Sequence, residues 1–339
     1  MMENPIDTPA DEMPGTLVTI QNAVEQFVRM VEQSRSPNTA LSYTKGMQVF
    51  CRVIEKNGLN CKETSVSKLS EDILPKFLDQ LKEYSPATEQ LYSATVTRFF
   101  HFLMAEKMSE INLPRVQEII RMRTRRIGQR LPQFPRSDIE KIVEAILPVP
   151  QNSNEQQYLR DLRDRAFLLV LADTGLRVHE ACNLRRGDID WNEGHAIIIG
   201  KGNKQAVVRF SVRSMDALKD YLKVRGKLDG NSGRSMSSLS LFARHDKGAG
   251  KKVKPMTPTS GRNIVEEKTR QILGDDAVGK ITPHSFRHFF VTTVLNASGN
   301  LKLAQELARH SNISVTQRYA HISDDELDRG YFEIFDKSR

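Results

Sequence analysis

Ala196-Ile197-Ile198-Ile199 and Ala206-Val207-Val208-Arg209-Phe210 flank the turn-forming stretch Lys201-Gly202-Asn203-Lys204. Two β-branched runs around Gly-Asn predict one β-hairpin with a primed turn. The other periodic segments read as helices, so the hairpin confines the sheet to one small element. The expected fold is mainly α with a small β-hairpin or sheet. At 339 residues the chain is long enough for two domains, each with its own core.

The first third is helical throughout. Ile20, Val24, Phe27, Val28 and Val31 follow helical spacing. Two later helices open alike, with Ser36-Pro37-Asn38-Thr39 and Ser85-Pro86-Ala87-Thr88, each a Ser N-cap before Pro at N1. Between them Leu74, Phe77, Leu78 and Leu81 share one face after Ser70-Glu71-Asp72-Ile73. These four helices predict a bundle over 17–112. Ahead of it, residues 1–16 hold four acids, three prolines and no Lys or Arg, the composition of a disordered tail.

Residues 113–136 carry seven arginines (115, 121, 123, 125, 126, 130 and 136) against the single acid Glu118, and Pro132 and Pro135 interrupt any helix. Composition alone allows a solvated linker. Mutual repulsion of so many cations favours instead a strap on a phosphate backbone, with Arg121, Arg123, Arg125, Arg126 and Arg130 as DNA-binding candidates. A second domain then runs over 137–339, opened by Ser137-Asp138-Ile139-Glu140 as a capping box. Its apolar run Ala166–Ala172 is a buried helix, too short to span a bilayer.

Lys and Arg number 50 against 42 acids, a net charge of +8 that favours a polyanionic partner. Cys51, Cys61 and Cys182 form no C-x-x-C pair and are expected to be reduced thiols. The N-terminus lacks the signal-peptide pattern. These features predict a cytoplasmic protein without a membrane partner.

Several polar residues have settings suited to a phosphate. Arg177 follows Thr174-Gly175-Leu176 at a helix start, where a guanidinium fork and positive dipole ends both favour an anion. The alternative there is a surface ion pair with Glu180. Lys201 sits in the hairpin turn and can protonate a leaving alkoxide, with Lys204 as rival. His284 and Arg287 share a face in Thr282-Pro283-His284-Ser285-Phe286-Arg287-His288. His284 and His288 also have zinc-ligand spacing, but neither the H-E-x-x-H acid nor an obvious third ligand accompanies them, so no metal is expected. His310 falls between two short helical segments, and Tyr319 carries a phenol that needs a base and nearby cations to become a nucleophile.

Taken together, Thr-Gly-Leu-Arg-x-x-Glu (174–180), Gly-Lys-Gly-Asn-Lys (200–204), His-x-x-Arg-His (284–288) and His310 followed by Tyr319 resemble the tyrosine recombinase, or phage integrase, family in order and spacing. The resemblance covers the second domain, and the first is similar to that family's helical, SAM-like core-binding domain. It implies a mixed α+β catalytic domain and a two-domain layout of the Cre and Xer type. Arg177 and Arg287 would hold the scissile phosphate, His284 would act as general base, and His310 would be a second donor. Lys201 would be the general acid, Glu180 and His288 supporting residues, and Tyr319 the nucleophile of a 3′-phosphotyrosyl intermediate.

No cofactor is implied. The implied partners are double-stranded DNA with a specific recombination site, three further copies in a tetramer on two sites, and an accessory protein or second recombinase. The apolar tail from 323, with Leu327, Tyr331, Phe332, Ile334 and Phe335, would dock on a neighbouring subunit. Integration, excision and resolution share this chemistry. Topoisomerase-like relaxation and a catalytically silent DNA-binding protein are the alternatives. One departure stands out: where the family often has Leu-Gly before the second histidine, this chain has Ala308-Arg309.

Overall fold

In the computed structural model, residues 18–126, 135–149, 154–199, 205–246, 248–249, 253–310 and 312–317 are described. The chain divides into two compact units, 1–129 and 130–339.

The first unit is built on α1 (Ile20–Ser34), α2 (Pro37–Lys56), α3 (Leu74–Gln80) and α4 (Pro86–Ala105). Both Ser-Pro openings act as expected. Ser36 Oγ accepts from Thr39 N and Ser85 Oγ from Thr88 N, each at 3.3 Å, with Pro at the first helical position where no N–H is needed. Ile20, Ala23, Phe27 and Val31 turn the inner face of α1 into the core. There Phe27, Phe50, Phe77, Phe99 and Phe100 are fully buried, and Phe50 and Phe77 meet edge to face at 5.2 Å. The same core takes Leu74, Leu78 and Leu81, the face expected from their spacing.

The basic segment departs from expectation. Its first half is a fifth helix, α5 (Leu113–Arg123), capped by Asn112 and packed on α3 and α4 through the fully buried Val116. Nor are most of its described arginines short of counter-charge, because acids elsewhere in the bundle add to Glu118. Arg115 pairs with Glu71 and Asp72 at 3.0 and 2.6 Å, Arg121 with Glu118 at 2.8 Å and Arg123 with Asp79 at 3.7 Å. Arg125 is bound to the buried Glu89 and donates to Tyr84 O at 2.6 Å.

In the second unit α6 (Arg136–Ala145) precedes a long α7 (Glu155–Thr174). The expected capping box at 137–140 does not form. Pro135 occupies the N-cap, the helix starts two residues early at Arg136, and Glu140 pairs with Arg136 at 2.9 Å. The run Ala166–Ala172 is buried in α7, which packs against α6, α9 (Val212–Gly230) and α11 (Pro283–Ser298). The remaining helices are α8 (Val178–Asn183), α10 (Pro258–Leu273), α12 (Leu301–Ala308) and α13 (Ile313–Gln317). Gly261 lets α10 close on its neighbours, since a Cβ there would meet Phe167 and Val178 at 2.8 Å.

The sheet is antiparallel, in the order β1 (Ile189–Asp190), β2 (His195–Ile199), β3 (Gln205–Arg209). Pairing runs from His195 opposite Arg209 to Ile199 opposite Gln205. Ala196 and Ile198 face the core while Ile197 and Ile199 are exposed, the alternation of a one-sided sheet. The turn expected at Gly202-Asn203, with Lys201 and Lys204, lies outside the described residues. No described helix is long and apolar enough to cross a membrane.

Candidate active site

Thr174 ends α7 and Gly175 turns the chain with a left-handed φ of +60°. A Cβ at Gly175 would collide with the ring of Phe290 on α11, so both conformation and close approach require glycine. Thr174 Oγ1 accepts from Leu176 N at 3.2 Å, and the buried Leu176 anchors the turn. This sets Arg177 as the N-cap of α8, with Glu180 one turn on. Glu180 closes a capping box, taking Arg177 N at 2.9 Å and Arg177 Nη1 at 2.8 Å. The ion pair weighed against a phosphate role therefore exists. Even so, the Arg177 side chain remains 37% exposed while that of Glu180 is 3% exposed, which leaves outward-facing donors.

Arg287 is buried and ties three elements together. From α11 its two Nη atoms donate to Gly175 O in the turn and to Ala308 O at the end of α12. The fork of the guanidinium thus fixes the Arg177 turn against the helix that carries His310. Thr282 opens α11 with a capping box to Ser285, one turn below Arg287.

His310 follows Arg309, which takes a left-handed φ of +57° as the C-cap of α12. Gln305 brackets this bend, accepting from His310 N and donating to His310 O, both at 3.0 Å. The His310 ring is fixed by Nδ1 against Thr316 Oγ1 of α13 at 2.8 Å, leaving Nε2 for another partner. Gln305 and Thr316 are supports that sequence motifs did not single out. Their signal is their placement five residues before and six after His310, within reach across one helix end.

The three imidazoles are held neutral. Burial is the main cause for His310, with Arg287, Arg177 and Arg309 adding repulsion, and the pKa falls to about 4. His288 falls to about 4 through burial, then His284 and Arg287, and His284 is lowered by burial, Arg287 and Arg177. His284 and His288 stack edge to face at 4.3 Å. Among the described residues no third metal-ligating side chain joins them. The cluster thus gathers guanidinium cations and imidazoles of lowered pKa around one buried carboxylate, an arrangement suited to a phosphate diester.

A pH dependence follows. His288, His310 and the separate His245, which burial, Arg163 and Arg225 push down to about 3, refuse protons that the unfolded chain accepts near its ordinary value of 6.5. Their contribution to stability is complete above pH ~6.5 and is lost as pH falls toward ~4. The melting temperature of the full chain is expected to fall on acidification from about pH 7 to pH 5. A flat profile across that window would contradict the assignment.

Arg177, His284, Arg287 and His310 are therefore brought together, with Glu180 and His288 beside them. Lys201 and Tyr319 lie outside the described residues, as does Arg130. On the first unit, Arg125 is committed to Glu89, whereas Arg126 is exposed and enters no ion pair among the described residues.

Residues 137–326 match the phage integrase family and residues 24–107 match the phage integrase N-terminal SAM-like domain. The chain is 30% identical over 312 residues to the tyrosine recombinase XerC of Pelobacter propionicus, covering 91% of each. It is 29% identical to XerD of Halalkalibacterium halodurans, covering 90% of this chain and 94% of the relative. In fold it is similar to the XerH site-specific recombinase bound to palindromic difH substrate (TM-score 0.68, 18% identity, 96% of this chain and 98% of the other). With a family match over more than half its length and a relative 30% identical over 91% of each chain, the chain belongs to the phage integrase family and is a site-specific tyrosine recombinase.

Proposed function

We propose that the chain cuts and rejoins duplex DNA at a specific site through a 3′-phosphotyrosyl link to Tyr319. The observation that supports this reading is the Arg287 tie, which joins the Arg177 turn to the end of α12, with His284 and His310 close enough to feel both guanidinium charges. Arg177 and Arg287 neutralise the nonbridging oxygens, where charge grows in the transition state. His284, its pKa lowered by burial, Arg287 and Arg177, can take the phenolic proton as the Tyr319 oxygen bonds to phosphorus. The P–O5′ bond breaks, and Lys201 gives a proton to the departing 5′-oxygen. His310 donates Nε2–H to a phosphoryl oxygen, while Glu180 and His288 hold the others in place. A 5′-hydroxyl of a partner strand then attacks the phosphotyrosine and releases Tyr319. The link conserves the backbone bond energy, so no nucleotide cofactor is required.

The structural neighbour XerH, bound to its difH substrate, supports double-stranded DNA as the partner. In this reading the helical domain (17–112) and the basic stretch to 136, through Arg121, Arg123, Arg126 and Arg130, hold the phosphate backbone. Arg125 contributes mainly to folding. With the catalytic domain from 137, the chain acts as a cytoplasmic tetramer on two sites, the tail from 323 docking between neighbours.

The test is incubation with DNA bearing two copies of the site from the element that encodes the chain. Recombinant products and an SDS-resistant protein–DNA adduct are expected. Relaxation of site-free plasmid with no recombinants would replace this reading with a topoisomerase activity.

A further inference from the structure

Arg309 replaces a residue type that its own backbone would favour. Its φ of +57° is a left-handed conformation, one of two such non-glycine residues among those described. For a residue with a Cβ this costs roughly 1 kcal/mol. The side chain is also nearly buried, 11% exposed, and its Nε has no hydrogen-bond partner. Its contacts are long: Nη2 to Gly175 O and to Glu180 Oε2, both 3.4 Å, and Nη1 to Leu307 O at 3.5 Å. A strained backbone, a desolvated cation and an incomplete hydrogen-bond set are each unfavourable to folding, and together they mark a functional position.

The placement suggests what is gained. Arg177 and Glu180 alone form a charge-neutral pair, which attracts a phosphate weakly. Arg309 shares the same carboxylate and restores one net positive charge to the group. It also shares the Gly175 carbonyl with Arg287, so one guanidinium touches the anchors of both phosphate clamps. Burial depresses its pKa, an effect Glu180 partly offsets, consistent with a cation held behind the site rather than in solvent.

We propose that Arg309 is a positioning residue for the recombination reaction. It offsets Glu180, keeps Arg177 electrostatically available to the scissile phosphate, and ties that arginine to the Arg287 anchor.

The inference rests on the recombinase reading, so the wild-type chain must first form its adduct with site DNA; failure there removes that reading and leaves Arg309 unaddressed by it. Given wild-type cleavage, Arg309→Gly is expected to slow adduct formation by roughly 10- to 100-fold, with the melting temperature unchanged or raised because glycine suits the backbone. Arg309→Lys, which keeps the charge, should recover most of the rate. A site DNA whose scissile phosphate is replaced by a neutral methylphosphonate should narrow the gap between Arg309→Gly and wild type, since less charge needs compensating. Full activity of Arg309→Gly overturns the proposal. So does a loss that neither lysine nor the neutral phosphate reduces, which would assign Arg309 to local packing.

Discussion

Tyr319→Phe is expected to abolish the SDS-resistant adduct while leaving affinity for site DNA within about twofold. Phenylalanine keeps the ring and loses only the oxygen that would bond to phosphorus. Cleavage should fall on the order of 10⁴-fold or more, because the remaining cations stabilise a transition state that has no protein nucleophile to form it. Peptide mapping of the wild-type adduct should place the DNA on the fragment containing Tyr319. Persistence of the adduct in the variant would move the nucleophile to another tyrosine. Wild-type binding without any adduct on its proper site would favour a silent DNA-binding protein.

The second large effect separates two arginines that a sequence motif treats alike. Arg177 is partly exposed and balanced by Glu180, whereas Arg287 is buried and bonded to two backbone carbonyls. Arg177→Lys should cost roughly 10²- to 10³-fold in adduct formation, the usual scale for losing one transition-state donor. Its melting temperature should change little. Arg287→Lys should show a similar kinetic loss and also a marked drop in melting temperature. A single ammonium cannot serve Gly175 O and Ala308 O together, and each unsatisfied buried acceptor costs about 1–3 kcal/mol. Adduct kinetics alongside thermal melts will decide. Near-wild-type cleavage by Arg287→Lys would remove it from the phosphate clamp.

How much of this was legible beforehand depended on the range of the interactions involved. The Ser-Pro openings of α2 and α4 and the hairpin flanks at 196–199 and 206–210 were readable because caps and strand periodicity are local. The helix α5 was not, because its arginines suggested a strap, while the acids that neutralise Arg115 and Arg125 lie some forty positions away. The box at 137–140 failed for a local reason, since Pro135 starts the helix two residues sooner. In the site, motif order brought Arg177, His284, Arg287 and His310 into view. What Arg309 does was hidden, because Glu180 lies 129 positions earlier and the left-handed bend has no marker once glycine is replaced.

The double tie made by Arg287 also has a consequence in time. Gly175 and Ala308 are separated by most of the second unit, and the arginine that joins them lies between. During synthesis the first unit is complete long before Ala308 leaves the ribosome. A prematurely ended chain would therefore carry a folded bundle with the Arg287 tie still open. That tie closes only once both of its carbonyls have been made.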